Sequence, residues 1–203
     1  MGVWYEVDQR FCETYDMQLP ENYVQEIAAL GFRETAQYFY DHSNLDMTVE
    51  EIGEKFNEMA VYAYSHTVKC FDGAVKYLQN LKKRGVKTAI ATSVSKHLLK
   101  ASMQANGFEE LIDAVAFCDE CGSNKHSSDV YALAARKIGC APEECLVFED
   151  VAVAIESAKR IGMTAGAIHD RHSFRNSERV REVADFYLES FAPLVEALEA
   201  QWD

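Results

Sequence analysis

The residues of this sequence best equipped for chemistry are Ser93, Lys125 and the adjacent pair Glu149 and Asp150. The two acids end the apolar run "CLVF", residues 145 to 148. Neighbouring carboxylates repel each other and give up water at a cost, so the arrangement is worth making where they face a cation. A hard cation such as Mg²⁺ takes oxygen ligands of this kind and itself bridges to phosphate. A hydroxyl such as that of Ser93, at the start of a helix and with the backbone N–H of Val94 beside it, cradles a phosphate oxygen. A loop lysine, Lys125, neutralises the same phosphate. Together these residues are the parts of a magnesium-dependent phosphoryl-transfer site. Singly each has an ordinary reading: Ser93 in a turn, Lys125 on a solvated surface, Asp150 capping the next helix. Their joint placement carries the inference.

That placement depends on the elements that present them. From about residue 67 onward, short apolar strands alternate with helices. The Asp72-Gly73 turn opens a helix carrying Val75, Leu78 and Leu81, and Gly85 ends it. The strand "VKTAIAT" follows, then a helix with Leu98, Leu99 and Met103 that stops at Gly107, then the strand "DAVAF". A helix from Val130 to Ile138 stops at Gly139 before "CLVF"; another from Ala152 to Ile161 stops at Gly162 before "TAGAI". A late strand "DFYL" precedes a terminal helix with Phe191, Leu194, Leu198 and Trp202. This alternation predicts an α/β fold, a parallel sheet with helices on both faces. Ligands of such sheets bind beyond the C-terminal strand ends, which is where Ser93, Lys125, Glu149 and Asp150 fall.

The first 66 residues read differently, as helices only. Val3, Val7 and Phe11 recur at fourfold spacing. Pro20 and Glu21 open a second helix with Tyr23 and Ile27 inward and Gly31 as its stop. A third runs from about Arg33 to Tyr40. Thr48 and Glu51 form a capping box for a fourth, with the stripe Ile52, Phe56, Met59 and Ala63. The expected organisation is an all-helical piece, 1–66, and an α/β piece, 67–203.

Composition bounds the partners. The chain of 203 residues carries a formal charge of −13, which argues against nucleic acid and anionic membranes; a local lysine still allows an anionic substrate. No run approaches the roughly 20 apolar residues of a membrane helix, and the N-terminus has no signal-peptide pattern. The six cysteines lack a disulfide spacing and read as reduced, cytoplasmic thiols. Cys118 and Cys121 form a CxxC, but His126, Cys140 and Cys145 make no standard second pair for zinc. "HDRH", residues 169 to 172, reads as a polar rim near the site.

Three stretches, in order and in register, resemble motifs of the haloacid dehalogenase superfamily, in the subgroup with a small helical cap that includes phosphatases and β-phosphoglucomutases. "TAIATSVSK" is similar to the second motif, with Ser93 as its phosphate-binding hydroxyl. "GSNKHSSDVYALAARKIG" is similar to the third, with Lys125 as its lysine. "CLVFEDVAVAIESAKRIGM" is similar to the fourth, with Glu149 and Asp150 as its metal-side acids. The family usually has Pro near Ser128 and Ser in place of Val151. The resemblance implies a Rossmann-like core under a cap formed by residues 1 to 66, a small phosphorylated metabolite as substrate, Mg²⁺ as cofactor and an aspartyl-phosphate mechanism. It also implies that Arg33, on the cap, can meet a substrate's distal phosphate; the alternative is a solvated arginine.

One departure is larger. The family's first motif is a strand ending in Asp-x-Asp, placed before the cap, with the nucleophile and the acid/base. Met1 lies in what reads as the first cap helix, and a strand with its loop needs roughly 10–20 residues. Asp8 and Asp16 sit on or near the end of that helix and cannot substitute. The resemblance puts the missing strand at the sheet's centre, between those ending at Ser93 and Asp150. Three expectations follow. The two flanking strands pair directly, or a foreign segment fills the slot between them. Residues 1–203 have little activity by themselves. The chain is a monomer or a strand-exchanged dimer. Phosphatase, phosphosugar mutase and a nucleophile-less binding protein stay open as readings.

Overall fold

The computed structural model describes residues 2–27, 30, 32–122, 125, 127–170 and 177–200. The chain divides into two compact units, Met1–Val68 and Lys69–Asp203. The expected stops and contacts at Gly31, His126, Arg171, His172 and Trp202 lie outside the described residues.

The first unit is helical: α1 (Gly2–Thr14), α2 (Tyr23–Ile27), α3 (Phe32–Asp41) and α4 (Val49–His66). The second helix is shorter than its Pro20 start suggests, because Tyr23 begins it with a bond from its N–H to the Pro20 carbonyl. The capping box at α4 is present: Glu51 N–H donates to Thr48 Oγ1 at 3.2 Å, and Thr48 N–H donates to Glu51 Oε2 at 2.7 Å. Two orphan donors of the helix start are thereby satisfied. The apolar faces of α1, α3 and α4 meet in a cluster of Phe11, Phe39 and Phe56. Phe39 stands edge-on to both others, and the Phe11 and Phe56 centroids are 4.6 Å apart. Such ring pairs contribute about 0.5–1.5 kcal/mol each beyond the area they bury.

The second unit alternates as expected. In chain order it holds α5 (Ala74–Lys83), β1 (Ala89–Thr92), α6 (Lys96–Asn106), β2 (Ala114–Phe117), α7 (Cys118–Cys121), α8 (Asp129–Ile138), β3 (Leu146–Glu149), α9 (Ala152–Lys159), β4 (Thr164–Ile168), α10 (Ser177–Val183), β5 (Phe186–Leu188) and α11 (Ala192–Ala200). Every strand pairing is parallel. Strand β1 starts later than "VKTAIAT" suggests. Thr88 is diverted before it: its N–H donates to Asp113 Oδ2 at 2.9 Å and its hydroxyl to the Leu111 carbonyl at 2.6 Å. Gly139 ends α8 at φ 74, a left-handed turn that glycine adopts without strain.

The strands form two sheets, β1-β2 and β3-β4-β5. Strands β1 and β3 do not pair, and no described residue forms a strand between them. Direct pairing of the flanking strands, one of the two expected closures, is therefore not what this chain does. Instead a cavity of about 640 Å³ separates them. Alternation assigns the faces. Ala89, Ala91, Cys145 and Val147 pack on the α8 side. On the other side Phe148 meets Tyr77, Phe186 and Phe191 in an aromatic cluster.

Strand β4, with a neighbour on each side, is buried from Ala165 to Ile168. Its Gly166 is paired with Phe148 and Phe186. A Cβ added there would lie 2.5 Å from the Cε2 and Cζ atoms of the Phe186 ring. Gly166→Ala must displace that ring from the aromatic cluster. The expected cost is about 1–3 kcal/mol, as for other overpacked cores. Urea denaturation checks it. The same substitution made in a Phe186→Ala background should cost markedly less; equal costs in both backgrounds would show that the ring is not what the methyl group meets.

Candidate active site

Glu149 is the last residue of β3 and faces the α8 side, as Cys145 and Val147 do four and two residues earlier. It is buried, at 6% exposure. Two donors converge on one of its oxygens. Lys125 Nζ donates to Glu149 Oε1 at 2.6 Å, and the Tyr131 hydroxyl donates to the same atom at 2.8 Å. Tyr131 is 1% exposed; burial first, and the Glu149 charge next, push its phenol well above the ordinary tyrosine range. It therefore stays a neutral donor. Lys125 follows the short helix α7, so the triad ties together the ends of β2 and β3.

Lys125 and Glu149, found by type and position, are thus in direct contact. Tyr131 was missed. An apolar-looking helix position gives no sign that a hydroxyl is aimed at a carboxylate 18 residues away. Asp150 follows Glu149, but the N-cap position of α9 is Val151, with no side-chain bond.

Ser93 is exposed just beyond β1. The hydroxyls around it have other tasks. Val94 N–H donates to the buried Thr92 Oγ1 at 3.0 Å, and Ser95, not Ser93, caps α6 by accepting from Leu98 N–H at 3.4 Å. Among the described residues no hydrogen bond links Ser93 to Lys125. A phosphate using the Val94 amide would replace Thr92 as its acceptor. Arg33, in the helical unit, is exposed and donates to Glu50 at 2.9 Å. That contact spans a loop to α4, so the residue is ion-paired on the surface of its own unit.

The remaining candidates have structural partners. Cys118 and Cys121 lie on α7; burial pushes the Cys118 thiol up, and all six cysteines are free. His169, the first residue of "HDRH", makes a 2.7 Å contact from Nδ1 to the Tyr187 hydroxyl. Among the described residues no three His, Cys, Asp or Glu side chains converge as a metal site. Glu149 and Asp150 thus fit Mg²⁺ only in part. They are two oxygen donors, and one oxygen of Glu149 is already shared by an ammonium and a phenol. No helix among the described residues is long and apolar enough to cross a membrane.

A family model described as haloacid dehalogenase-like hydrolase matches residues 2–168. The "Phosphorylated carbohydrates phosphatase" of Thermotoga maritima is 23% identical over 169 residues, covering 82% of this chain and 78% of that protein. The crystal structure of CbbY from Rhodobacter sphaeroides in complex with phosphate superposes with a TM-score of 0.74 at 22% identity, over 95% of this chain and 89% of that one. A β-phosphoglucomutase from Clostridium difficile superposes with a TM-score of 0.66 at 14% identity, over 98% and 91%.

Proposed function

The chain belongs to the haloacid dehalogenase-like hydrolase family, and from that premise we propose that its α/β unit binds the phosphoryl group of a small phosphate monoester at the strand ends bearing Ser93, Lys125, Glu149 and Asp150. The observation that carries the reading is the Lys125–Glu149 pair, at 2.6 Å. It holds an ammonium group at the C-terminal end of β3, with its remaining N–H donors available to a phosphate. The half-buried setting strengthens such a charge-assisted bond relative to open water. Ser93 and the Val94 amide supply the second side of the cradle. A phosphorylated sugar is the substrate class favoured by the curated relative; mutase and hydrolase chemistry share this cradle.

Mg²⁺, when bound, would neutralise phosphate charge beside Glu149 and Asp150. The chain's own residues do the rest. Lys125 orients and neutralises the phosphoryl oxygens, and Tyr131 fixes Glu149. The family chemistry runs through an aspartyl-phosphate. Of the two carboxylates that end β3, Glu149 is committed to Lys125 and Tyr131. Residues 1–203 by themselves are therefore expected to bind phosphate and turn over little substrate.

The test separates binding from turnover. With Mg²⁺ and p-nitrophenyl phosphate, release of nitrophenol by residues 1–203 should stay near background. Inorganic phosphate should bind, and Lys125→Ala should weaken it by about tenfold or more, the worth of a charged hydrogen bond. Turnover at the rate of active family members would overturn the inactivity. Phosphate binding that ignores Lys125→Ala would overturn the cradle.

A further inference from the structure

Cys118 and Cys121 are the first and last residues of α7, the single helical turn that follows β2. Residues three apart on a helix share a face, with Cβ atoms about 5–6 Å apart. Here that face meets α8. Cys118 belongs to the buried cluster that holds Val130, Tyr131 and Ala134, and Cys121 packs against the same cluster. Both thiols are free. A disulfide needs its Cβ atoms about 3.5–4.5 Å apart, so joining the two asks the turn to close by only about 1–2 Å.

The two sulfurs are unequal. Cys118 is 3% exposed, whereas Cys121 is partly open to solvent. A reagent in solution meets Cys121 first, and Cys118 stands behind it on the same face, placed to attack whatever bond forms there.

The turn is anchored at its start and loose at its end. Phe117 N–H donates to Glu120 Oε1 at 3.0 Å. Lys137 Nζ donates to both Glu120 oxygens and to the Val115 carbonyl, at 2.6 to 2.8 Å. Gly122 follows α7 at φ 59, and a Cβ added there would meet nothing within 4 Å. Closing the turn therefore moves its C-terminal end, which leads to Lys125. Cys118 also lies close to the Lys125–Glu149–Tyr131 triad. It shares its cluster with Tyr131, and although burial raises its thiol pKa, the Lys125 charge opposes the rise.

We propose that Cys118 and Cys121 are an oxidation site: a small-molecule disulfide closes them into a reversible bridge, and the bridge draws Lys125 away from Glu149. The Cys121 thiolate attacks one sulfur of the reagent, whose S–S bond breaks; one reagent thiolate leaves and a mixed disulfide forms. Cys118 then gives its proton to solvent, attacks the Cys121 sulfur and expels the second reagent thiolate. Two protein thiols are oxidised to one disulfide, and the reagent is reduced to two thiols. The bridge is independent of the phosphoryl chemistry proposed above, and its effect is read at the Lys125–Glu149 contact rather than from turnover.

The full chain, first reduced, is treated with glutathione disulfide, alkylated and digested with trypsin. Fragment 101–125 contains Cys118 and Cys121 and no other cysteine; fragment 138–159 contains Cys140 and Cys145. The first should escape alkylation and be lighter by two hydrogen atoms, and dithiothreitol should reverse both changes. The second should stay alkylated, because the Cys140 and Cys145 sulfurs turn to different carbonyls, those of Ile138 and Ala141. Cys118→Ala should stop at the mixed disulfide on Cys121, and Cys121→Ser should leave Cys118 unmodified. In a separate sample of the oxidised chain, acetylation of Lys125 by an N-hydroxysuccinimide ester should be faster by about threefold or more, as for the loss of a partly exposed ion pair. Lys159, paired with Asp185 at 2.6 Å, should be unchanged. Absence of the bridge in fragment 101–125 would overturn the proposal. Equal bridging in both fragments would mark oxidation of unfolded chain and overturn it too, as would glutathione on Cys118 in Cys121→Ser. A bridge that leaves Lys125 acetylation unchanged would overturn the link to Glu149.

Discussion

Glu149→Ala is expected to destabilise the α/β unit by about 2–4 kcal/mol, the largest loss from any single side chain at the candidate site. Breaking a buried ion pair by removing one partner costs about 3–5 kcal/mol, because the other charge is left without compensation. Here the ammonium end of Lys125 keeps partial access to water, with its side chain 31% exposed, which lowers the figure. The Tyr131 hydroxyl has no such outlet. It is buried, and Glu149 Oε1 is its acceptor at 2.8 Å; an orphaned buried donor adds about 1–3 kcal/mol. Glu149→Gln separates the two contributions. It keeps an oxygen for Tyr131 and loses the charge facing Lys125, so its cost should be about half. Tyr131→Phe removes the need for the acceptor, and Glu149→Ala made on that background should cost measurably less than on the native chain. Urea denaturation of the four variants gives the cycle. If Glu149→Ala shifts stability by less than about 0.5 kcal/mol, the pair is a surface-like contact and the view of Lys125 as a held cation fails with it.

The same triad shows how far the sequence could be read. Glu149 and Lys125 are legible because a charged residue at the end of an apolar strand, or in a loop beyond one, has few structural reasons to be there. Tyr131 is not, because a tyrosine on the buried face of α8 looks like any core aromatic until its hydroxyl is placed. The choice of Ser93 over its neighbours shows the same limit. In "TSVS" three hydroxyls compete, and only the backbone path decides that Thr92 turns inward to accept from Val94 and that Ser95 caps α6. Arg33 was readable as a cation on a helix, but its partner Glu50 is 17 residues away, beyond any local rule. At the level of the fold, the parallel α/β order and the capping box at Thr48 follow from periodicity and cap chemistry. The unpaired edges of β1 and β3 were foreseeable only as an alternative, since nothing local in "TAIAT" or "CLVF" says whether two strands meet or stand apart.

Asp8→Asn is expected to stabilise the helical unit at pH 8 by on the order of 4 kcal/mol and to flatten its dependence on pH. Helix α1 sets Asp8 beside Val7 and one turn from Phe11, and the carboxyl is 6% exposed. No described residue donates a hydrogen bond to it, and burial raises its pKa from 3.8 to about 7. The folded state thus holds its proton more tightly than the unfolded chain does. Between pH 4 and 7 folding takes up a proton, so stability falls as pH rises across that window and levels off above it. The rise from 3.8 to about 7 corresponds to roughly 4 kcal/mol at about 1.4 kcal/mol per unit. Asn cannot ionise and removes the whole dependence. A second readout follows from the neighbours. The Cys12 thiol is pushed up first by burial and then by the Asp8 charge, so Asp8→Asn should make Cys12 more reactive towards a thiol reagent at pH 8. Asp16→Asn is the control: Asp16 sits at φ 50 beyond α1, a conformation asparagine also tolerates, and the change should leave both readouts where they were. Amide exchange in α1 and α4, followed from pH 4 to 8, measures the effect on this unit alone. A native chain whose α4 protection is the same at pH 5 and pH 8 would mean that Asp8 reaches water as a charge, and that the core of Phe11, Phe39 and Phe56 opens far enough to let it.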